Sequence, residues 1–164
     1  MPLIKAGRFV SDPWEHVADD AAIPAGAPAS VSFRRWSAER DALLRRGGLL
    51  GLRLPNDVAV ATLGPDIASF ALIVLTFPRF TDGRAYSQAR LLRGRFGYRG
   101  ELRASGEVLR DQLLFMRRCG FDAFAVSERA VTENWLTGFG DFDVFYQPGE
   151  GEEPWAMRLR QGAA

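Results

Sequence analysis

The chain has 164 residues, of which 47% are hydrophobic and 25% are charged, as is usual for a soluble globular domain. No apolar run approaches the ~20 residues that a membrane span requires, and the polar N-terminus does not resemble a signal peptide, so we expect a cytoplasmic protein without membrane contact. The single cysteine, Cys119, excludes an internal disulfide and any cluster that needs several thiolates from this chain.

The net charge of +1 conceals an uneven distribution along the chain. Residues 1–78 are balanced, residues 79–118 carry ten arginines against four carboxylates, and residues 119–164 carry three arginines against eight carboxylates. A basic middle and an acidic tail can pair within one molecule or between two, which makes a homodimer possible. Nucleic-acid binding is not predicted, because the overall charge is near neutral and no recognised motif accompanies the arginines.

The first part of the chain contains few clear elements. Residues 1–30 are interpreted as an N-terminal arm, with residues 21–30 as a loop or linker because prolines and glycines are frequent there. Residues 31–36 suggest a short extended segment, and Ser37 is predicted to cap a helix that ends at Gly47 and Gly48. Residues 48–54 are predicted to form a strand, whereas residues 58–63 fit a short helix or a strand equally well.

Strands and helices alternate between residues 70 and 126. The apolar run 70–77 is typical of a strand covered on both faces, and residues 84–96, 101–105, 108–119 and 122–126 follow as helix, strand, helix and strand. This order predicts an α/β fold with right-handed crossovers and one mainly parallel sheet of about four strands, flanked by helices. Such a sheet is either the centre of a three-layer structure or part of a barrel, and it is too small for a complete eight-stranded barrel.

The last part of the chain is rich in aromatic residues. Ser127 is predicted to begin a further helix, residues 142–146 an edge strand, and residues 148–164 a C-terminal tail, so that the α/β domain spans residues 31–147. The aromatic residues Trp135, Phe139, Phe142 and Phe145 suggest an exposed apolar surface suited to a subunit interface.

The polar loops that follow the strands are the candidate binding site, since ligands of parallel α/β sheets bind beyond the carboxyl ends of the strands. Loops 78–84, 106–111 and 127–129 meet that condition, and Asn56 with Asp57 would add a fourth. Arginine binds oxyanions in a planar, bidentate manner. We therefore predict an anion-binding site with the residues Arg79, Thr81, Asp82, Gly83, Arg84, Arg110 and Asp111. The alternative is structural: Asp82 caps a helix, Gly83 forms its turn, and the arginines are solvated or paired with carboxylates.

Other chemical signals are weak. Gly94, Gly97 and Gly100 lie at the end of a predicted helix and are interpreted as caps and turns, because a dinucleotide-binding loop would open a helix after a strand. Cys119 lies on the apolar stripe of its helix and is predicted to fill the core. His16 has no nearby cysteine or histidine in the sequence, so a metal site is not predicted.

The segment FPRFTDGRAYSQARLLRGRFGYRGELRASGEVLRDQLLFMRRCGFDAF resembles a bacterial family known as domain of unknown function 934. The resemblance covers residues 49–146 and is closest over residues 77–124. The family motif is matched at Pro78, Arg79, Asp82, Gly83, Arg84, Tyr86, Gly106, Arg110, Asp111 and Gln112. Members are labelled oxidoreductases involved in sulfite reduction, a label based on association with assimilatory sulfite reductase.

The resemblance implies a role in sulfur assimilation, with sulfite reductase as a partner. Redox chemistry needs a flavin, nicotinamide, haem or cluster, and the chain shows a motif for none, so the cofactor stays unknown. Three hypotheses follow. The protein is a noncatalytic accessory that docks on the reductase or delivers an anion, an enzyme that binds an oxyanion with Asp82 or Asp111 as acid or base, or a homodimeric scaffold.

Overall fold

The computed structural model describes residues 1–128 and 134–139, and in that part of the chain eight strands form one sheet. The strands are β1 (Leu3–Lys5), β2 (Arg8–Val10), β3 (Glu15–His16), β4 (Ala29–Ser32), β5 (Leu50–Leu54), β6 (Leu72–Phe77), β7 (Glu101–Gly106) and β8 (Ala123–Ala125). The helices are α1 (Phe33–Arg45), α2 (Arg84–Arg90), α3 (Leu113–Arg118) and α4 (Asn134–Thr137). A π-helical turn, Leu91–Arg95, continues α2, and two 3-10 helices span Val60–Ser69 and Arg110–Gln112.

The sheet is a half-barrel. Strands β3 to β8 are parallel and lie side by side in chain order, while β1 and β2 continue the sheet beyond β8 as antiparallel strands. When each right-handed connection joins a strand to the strand beside it, all connecting helices lie on the same face of the sheet. In this half-barrel the helices cover the convex face. The predicted α/β class is therefore confirmed, in the partial-barrel form.

The hydrophobic core lies between the convex face of the sheet and the helices. Leu52, Ile73 and Leu102 point into it from three neighbouring strands and are 0% exposed. Leu92 and Met116 meet them from the helical side and are equally buried. Each such side chain contributes about 1.5–3 kcal/mol of transfer free energy. Cys119 belongs to the same core, at 3% exposure, as predicted.

The alternation predicted for residues 70–126 is confirmed element by element. Every residue of β6 except Thr76 is buried, as expected of a central strand in a parallel sheet. Gly106 ends β7 with a φ of 89°, and a Cβ added there would lie 2.2 Å from the carbonyl oxygen of Phe77. Only glycine fits this position, so the bend that starts the next loop is fixed by the sequence.

The extended segment predicted for residues 31–36 is correct only for residues 31 and 32, and the helix cap predicted at Ser37 is wrong. The strand ends at Ser32, whose side chain accepts a hydrogen bond from the Arg35 amide at 3.1 Å, and α1 begins at Phe33. Ser37 lies inside the helix, where its hydroxyl donates to the Phe33 carbonyl at 2.9 Å. Because α1 begins before Ser37, Trp36 is part of the helix, and its side chain packs in the core at 5% exposure. Residues 58–63, left open between helix and strand, fall mostly on the first 3-10 helix.

Strands β1 to β3 were not predicted, since each has only two or three residues. The aromatic surface predicted near the C-terminus is wrong for Trp135 and Phe139, which pack against the core; the Phe139 ring lies 5.4 Å from that of Phe124. Phe142, Phe145, the edge strand at 142–146 and the tail at 148–164 lie outside the described residues, as do residues 129–133 of the helix predicted after Ser127.

Candidate functional site

Two neighbouring loops, residues 78–84 after β6 and 106–111 after β7, form what we call the carboxyl edge. The Phe80 amide donates a hydrogen bond to the Glu107 carboxylate at 2.9 Å, and the Gln112 side chain donates to the Phe80 carbonyl at 3.4 Å. The Glu107 amide also donates to the carbonyl of Phe77 at 2.8 Å. The structure thus brings together two of the loops that were predicted to lie at one edge of the sheet.

Asp82 and Arg84 neutralise each other at this edge. The Arg84 Nε and Nη2 donate to the two Asp82 carboxylate oxygens at 3.0 and 2.7 Å, and the Arg84 amide donates to the same group at 3.3 Å. These bonds, with a smaller contribution from the buried Asn56, hold the pKa of Asp82 well below its usual range. Asp82 is therefore an anion at neutral pH, and the Arg84 guanidinium is already occupied.

The other predicted site residues differ in their surroundings. Arg79, Thr81, Gly83 and Asp111 are exposed, and no hydrogen bond or ion pair connects the Arg79 side chain to any residue of the described chain. Arg110 is half-buried and donates to the Thr137 hydroxyl at 2.7 Å. The two loops hold three arginines and three carboxylates, so they have no net charge. An anion would therefore be attracted by individual arginine side chains rather than by a net positive charge of the loops.

Apolar side chains surround these charges. Phe80, Leu109 and Phe115 are 47%, 36% and 52% exposed. The Phe115 ring lies 4.9 Å from the ring of Tyr86, which in turn lies 4.9 Å from that of Phe77. Burial raises the pKa of the Tyr86 phenol to about 12, so that this hydroxyl stays protonated at neutral pH. The carboxyl edge therefore combines exposed aromatic surface with arginine.

A second polar region, which was not predicted from the sequence, lies on the concave face of the sheet. Arg53 on β5, Val74 on β6 and Arg103 on β7 are register partners and form one row across this face. Above the row lies a pocket of about 610 Å³, here called the concave pocket. Its lining includes Asp12, Trp14, Arg53, Val74, Arg103 and Ala125. A possible signal in the sequence is an arginine between two buried residues of a strand, as in Leu-Arg-Leu and Leu-Arg-Ala.

Arg103 is 1% exposed and is fully paired. Its guanidinium donates to both Asp12 carboxylate oxygens at 2.6 and 3.1 Å, and twice to one Glu101 oxygen at 3.0 and 2.8 Å. Lys5 binds the second Glu101 oxygen at 2.7 Å, and His16 lies 3.0 Å from Asp12. Burial raises the pKa of Asp12, but the hydrogen bonds from Arg103 and from the Trp14 amide outweigh burial and lower it. The network holds residues 12–16 on the sheet.

His16 bonds to Ser30 at 2.6 Å as well as to Asp12, so it is part of this polar network. Among residues 1–128 and 134–139, no three histidine, cysteine or acidic side chains are placed so that they could hold a metal ion. Over the same residues, no helix has the length and apolar character needed to cross a membrane.

Comparison with known proteins identifies a family. The model of a family described as bacterial protein of unknown function, DUF934, matches residues 51–155, well over half of the chain and both loops of the carboxyl edge. No match is found among curated proteins or among solved structures.

Proposed function

The chain belongs to the DUF934 family of bacterial proteins of unknown function, and we propose that it is an accessory protein of assimilatory sulfite reduction that binds a small oxyanion at its carboxyl edge. The connection with sulfite reduction is supported by the resemblance of residues 77–124 to that family, whose members carry this label. The oxyanion site is supported by one observation above all: the exposed Arg79 guanidinium makes no ion pair in the described chain.

The neighbours of Arg79 suit such a site. Arg110 carries a positive charge on the adjacent loop and donates to Thr137, while Arg84 is compensated by Asp82 and would frame the site rather than bind the ligand. The hydrogen bond from Phe80 to Glu107 and the conformation of Gly106 hold the two loops in a fixed relation, which lowers the entropy lost when a ligand binds. The chemistry proposed is recognition and delivery, without a covalent step.

The direct test is calorimetric titration of the purified protein with sulfite under anaerobic conditions, followed by sulfate and phosphate. We expect saturable sulfite binding that weakens at least about tenfold in Arg79→Ala, the loss typical of a charged hydrogen bond. Arg110→Ala should weaken it as well. Arg90→Ala is the matched control, because Arg90 is also exposed but lies at the far end of α2. Equal affinity in Arg79→Ala and Arg90→Ala, or no binding by the wild type, would refute the site.

Docking on sulfite reductase is a second candidate function, favoured by the exposed Phe80, Leu109 and Phe115 at the same edge. Aromatic residues and arginine supply most of the binding energy in protein interfaces. The reductase should co-purify with tagged wild-type protein from cells grown on sulfate, and Phe115→Ser should reduce its recovery. Leu91→Ser is the control, since Leu91 is 42% exposed on the π-helical turn. Equal recovery with both variants, each shown to be folded by its melting temperature, would contradict docking through this edge.

A further inference from the structure

The concave pocket is distinct from the carboxyl edge, and we propose that it is a second binding site, for a small organic anion, with Arg53 as the residue that holds the anionic group. This inference does not depend on the proposed role in sulfite reduction. Two observations support it. Arg103 on the concave face is paired with carboxylates whereas Arg53 is not, and both polar and apolar side chains line the pocket.

Arg53 carries a partly buried charge without an ion pair. Its Nη1 donates to the Ser30 carbonyl at 3.0 Å and to the Ser30 hydroxyl at 3.3 Å, and its Nη2 donates to the Val17 carbonyl at 2.6 Å. All of these acceptors are neutral. Burial lowers the pKa of Arg53, only partly offset by the charge of Asp19, which is itself bonded to Ser32 and Arg34. The Nε–H and the remaining Nη protons have no acceptor in the described part of the chain.

Arg103 provides an internal comparison. It stands in the same row as Arg53, on the other side of Val74, roughly 10 Å away given the usual spacing between strands. Arg103 is bonded to two carboxylates, those of Asp12 and Glu101, and needs no further anion. Two arginines thus share one face, and only Arg53 has donors left for a negatively charged ligand.

The remaining lining indicates the kind of anion. Val74 and Ala125 form an apolar floor, and Trp14 lies over β5, where its ring would be 3.1 Å from a Cβ added to Gly51. Pockets that bind small organic molecules have volumes of about 300–1,000 Å³, and this one has about 610 Å³. An inorganic ion would leave the apolar part unfilled. A carboxylate, sulfonate or phosphate ester with an apolar body satisfies both parts.

Anilinonaphthalene sulfonate, a fluorescent aromatic sulfonate, is the probe for this site. We expect saturable binding of one molecule per chain to the full-length protein. The dissociation constant should rise at least about tenfold in Arg53→Met, which keeps the length of the side chain and removes its charge. Ala125→Leu should weaken binding as much, because it fills the pocket and leaves every charge in place.

Arg90→Met serves as the control and should bind the probe within about twofold of the wild type, since Arg90 does not line the pocket. Because Arg53 also bonds to the backbone, Ala125→Leu keeps the test decisive if Arg53→Met does not fold. Unchanged affinity in the folded pocket variants would overturn the inference. Loss of binding in Arg79→Ala would do so too, since the probe would then sit at the carboxyl edge.

Discussion

The concave face and the carboxyl edge both pair arginine with carboxylate, but they do so over very different distances along the chain. At the edge, Asp82 and Arg84 are two residues apart, and the arginine is exposed. On the concave face, Asp12 and Arg103 are 91 residues apart, and the arginine is buried. The first pair shapes one loop. The second fastens the N-terminal segment to the centre of the sheet, so the same chemistry serves local structure in one region and tertiary structure in the other.

Arg79 at the edge and Arg53 on the concave face are not bonded to any carboxylate of the described chain. The two differ in exposure and in neighbours. Arg79 is open to solvent and suits a small hydrated oxyanion, whereas Arg53 lies beside apolar surface and suits an organic one. The comparison therefore separates arginines that are paired with carboxylates of the fold from the two arginines that we propose bind ligands.

The largest expected effect is that of Arg103→Met. Removing the guanidinium leaves Asp12 and Glu101 without their main partner, and breaking a buried ion pair in this way costs about 3–5 kcal/mol. The free energy of unfolding, measured with urea, should fall by that amount. Arg53→Met is the matched variant and should cost less than half as much, since its partners are neutral carbonyls and a hydroxyl. Equal losses of unfolding free energy in the two variants would contradict the claim that Arg103, and not Arg53, forms a stabilising ion pair.

Gly106→Ala should be the next most damaging change. The positive φ alone costs about 1–3 kcal/mol for alanine, and the clash with the Phe77 carbonyl adds to that. Gly83→Ala, in the other loop of the same edge, should stay within about 0.5 kcal/mol of the wild type, because its φ is −79° and its Cβ would have ordinary contacts. Thermal unfolding of the two variants measures the difference. Similar melting temperatures would show that Gly106 does not fix the loop.

Acidification should weaken the attachment of the N-terminal segment. The pKa of Asp12 is lower in the folded protein than its unfolded value of about 3.9, so the unfolded chain takes up the proton first as the pH falls. The stability due to ionised Asp12 is therefore present above that value and is lost as the pH falls through the folded pKa. Urea unfolding at a series of pH values should show that the free energy of unfolding falls less on acidification in Asp12→Asn than in the wild type. If the free energy of unfolding fell equally with pH in both proteins, ionised Asp12 would not contribute to the acid sensitivity of the fold.

The smallest expected effect on stability is that of Asp82→Asn, because the pair it breaks is local and its arginine is exposed. Its effect on binding should be larger, since the Arg84 guanidinium would be released toward the oxyanion proposed at the carboxyl edge. Calorimetry should show tighter sulfite binding in Asp82→Asn. Weaker binding would mean that Asp82 contributes to the site in some other way than by occupying Arg84.

The sequence predicted the second half of the fold because its signals are local. The apolar run of β6, the stripe of α3 and the glycine at residue 106 each act within a few residues, and adjacent parallel strands then bring their loops together. Strand β1 has three residues and pairs both with the neighbouring β2 and with β8, which lies more than 110 positions away, with Phe124 opposite Ile4. No pattern within its own segment marks it as a strand.

Contacts between distant parts of the chain also decide which arginines at the two sites are paired, and a local sequence pattern does not show them. The sequence could group Arg79, Asp82 and Arg110 at one edge, but it could not tell that Arg84 would be occupied by Asp82. Arg53 and Arg103 each interrupt an apolar strand, and their meaning depends on whether a carboxylate arrives from elsewhere. Asp12 does arrive beside Arg103, from a segment that was interpreted as an arm. Whether an arginine is compensated is a property of the tertiary structure.

The central claim, that Arg79 binds an oxyanion while Arg84 and Arg103 stay with their carboxylates, is tested most directly by the arginine Nε–H resonances of ¹⁵N-labelled protein during a sulfite titration. The Arg79 resonance, assigned by its loss in Arg79→Lys, should shift and saturate, while those of Arg84 and Arg103 keep their positions. A titration that leaves the Arg79 resonance unmoved, or that moves the Arg84 resonance in its place, would contradict the account.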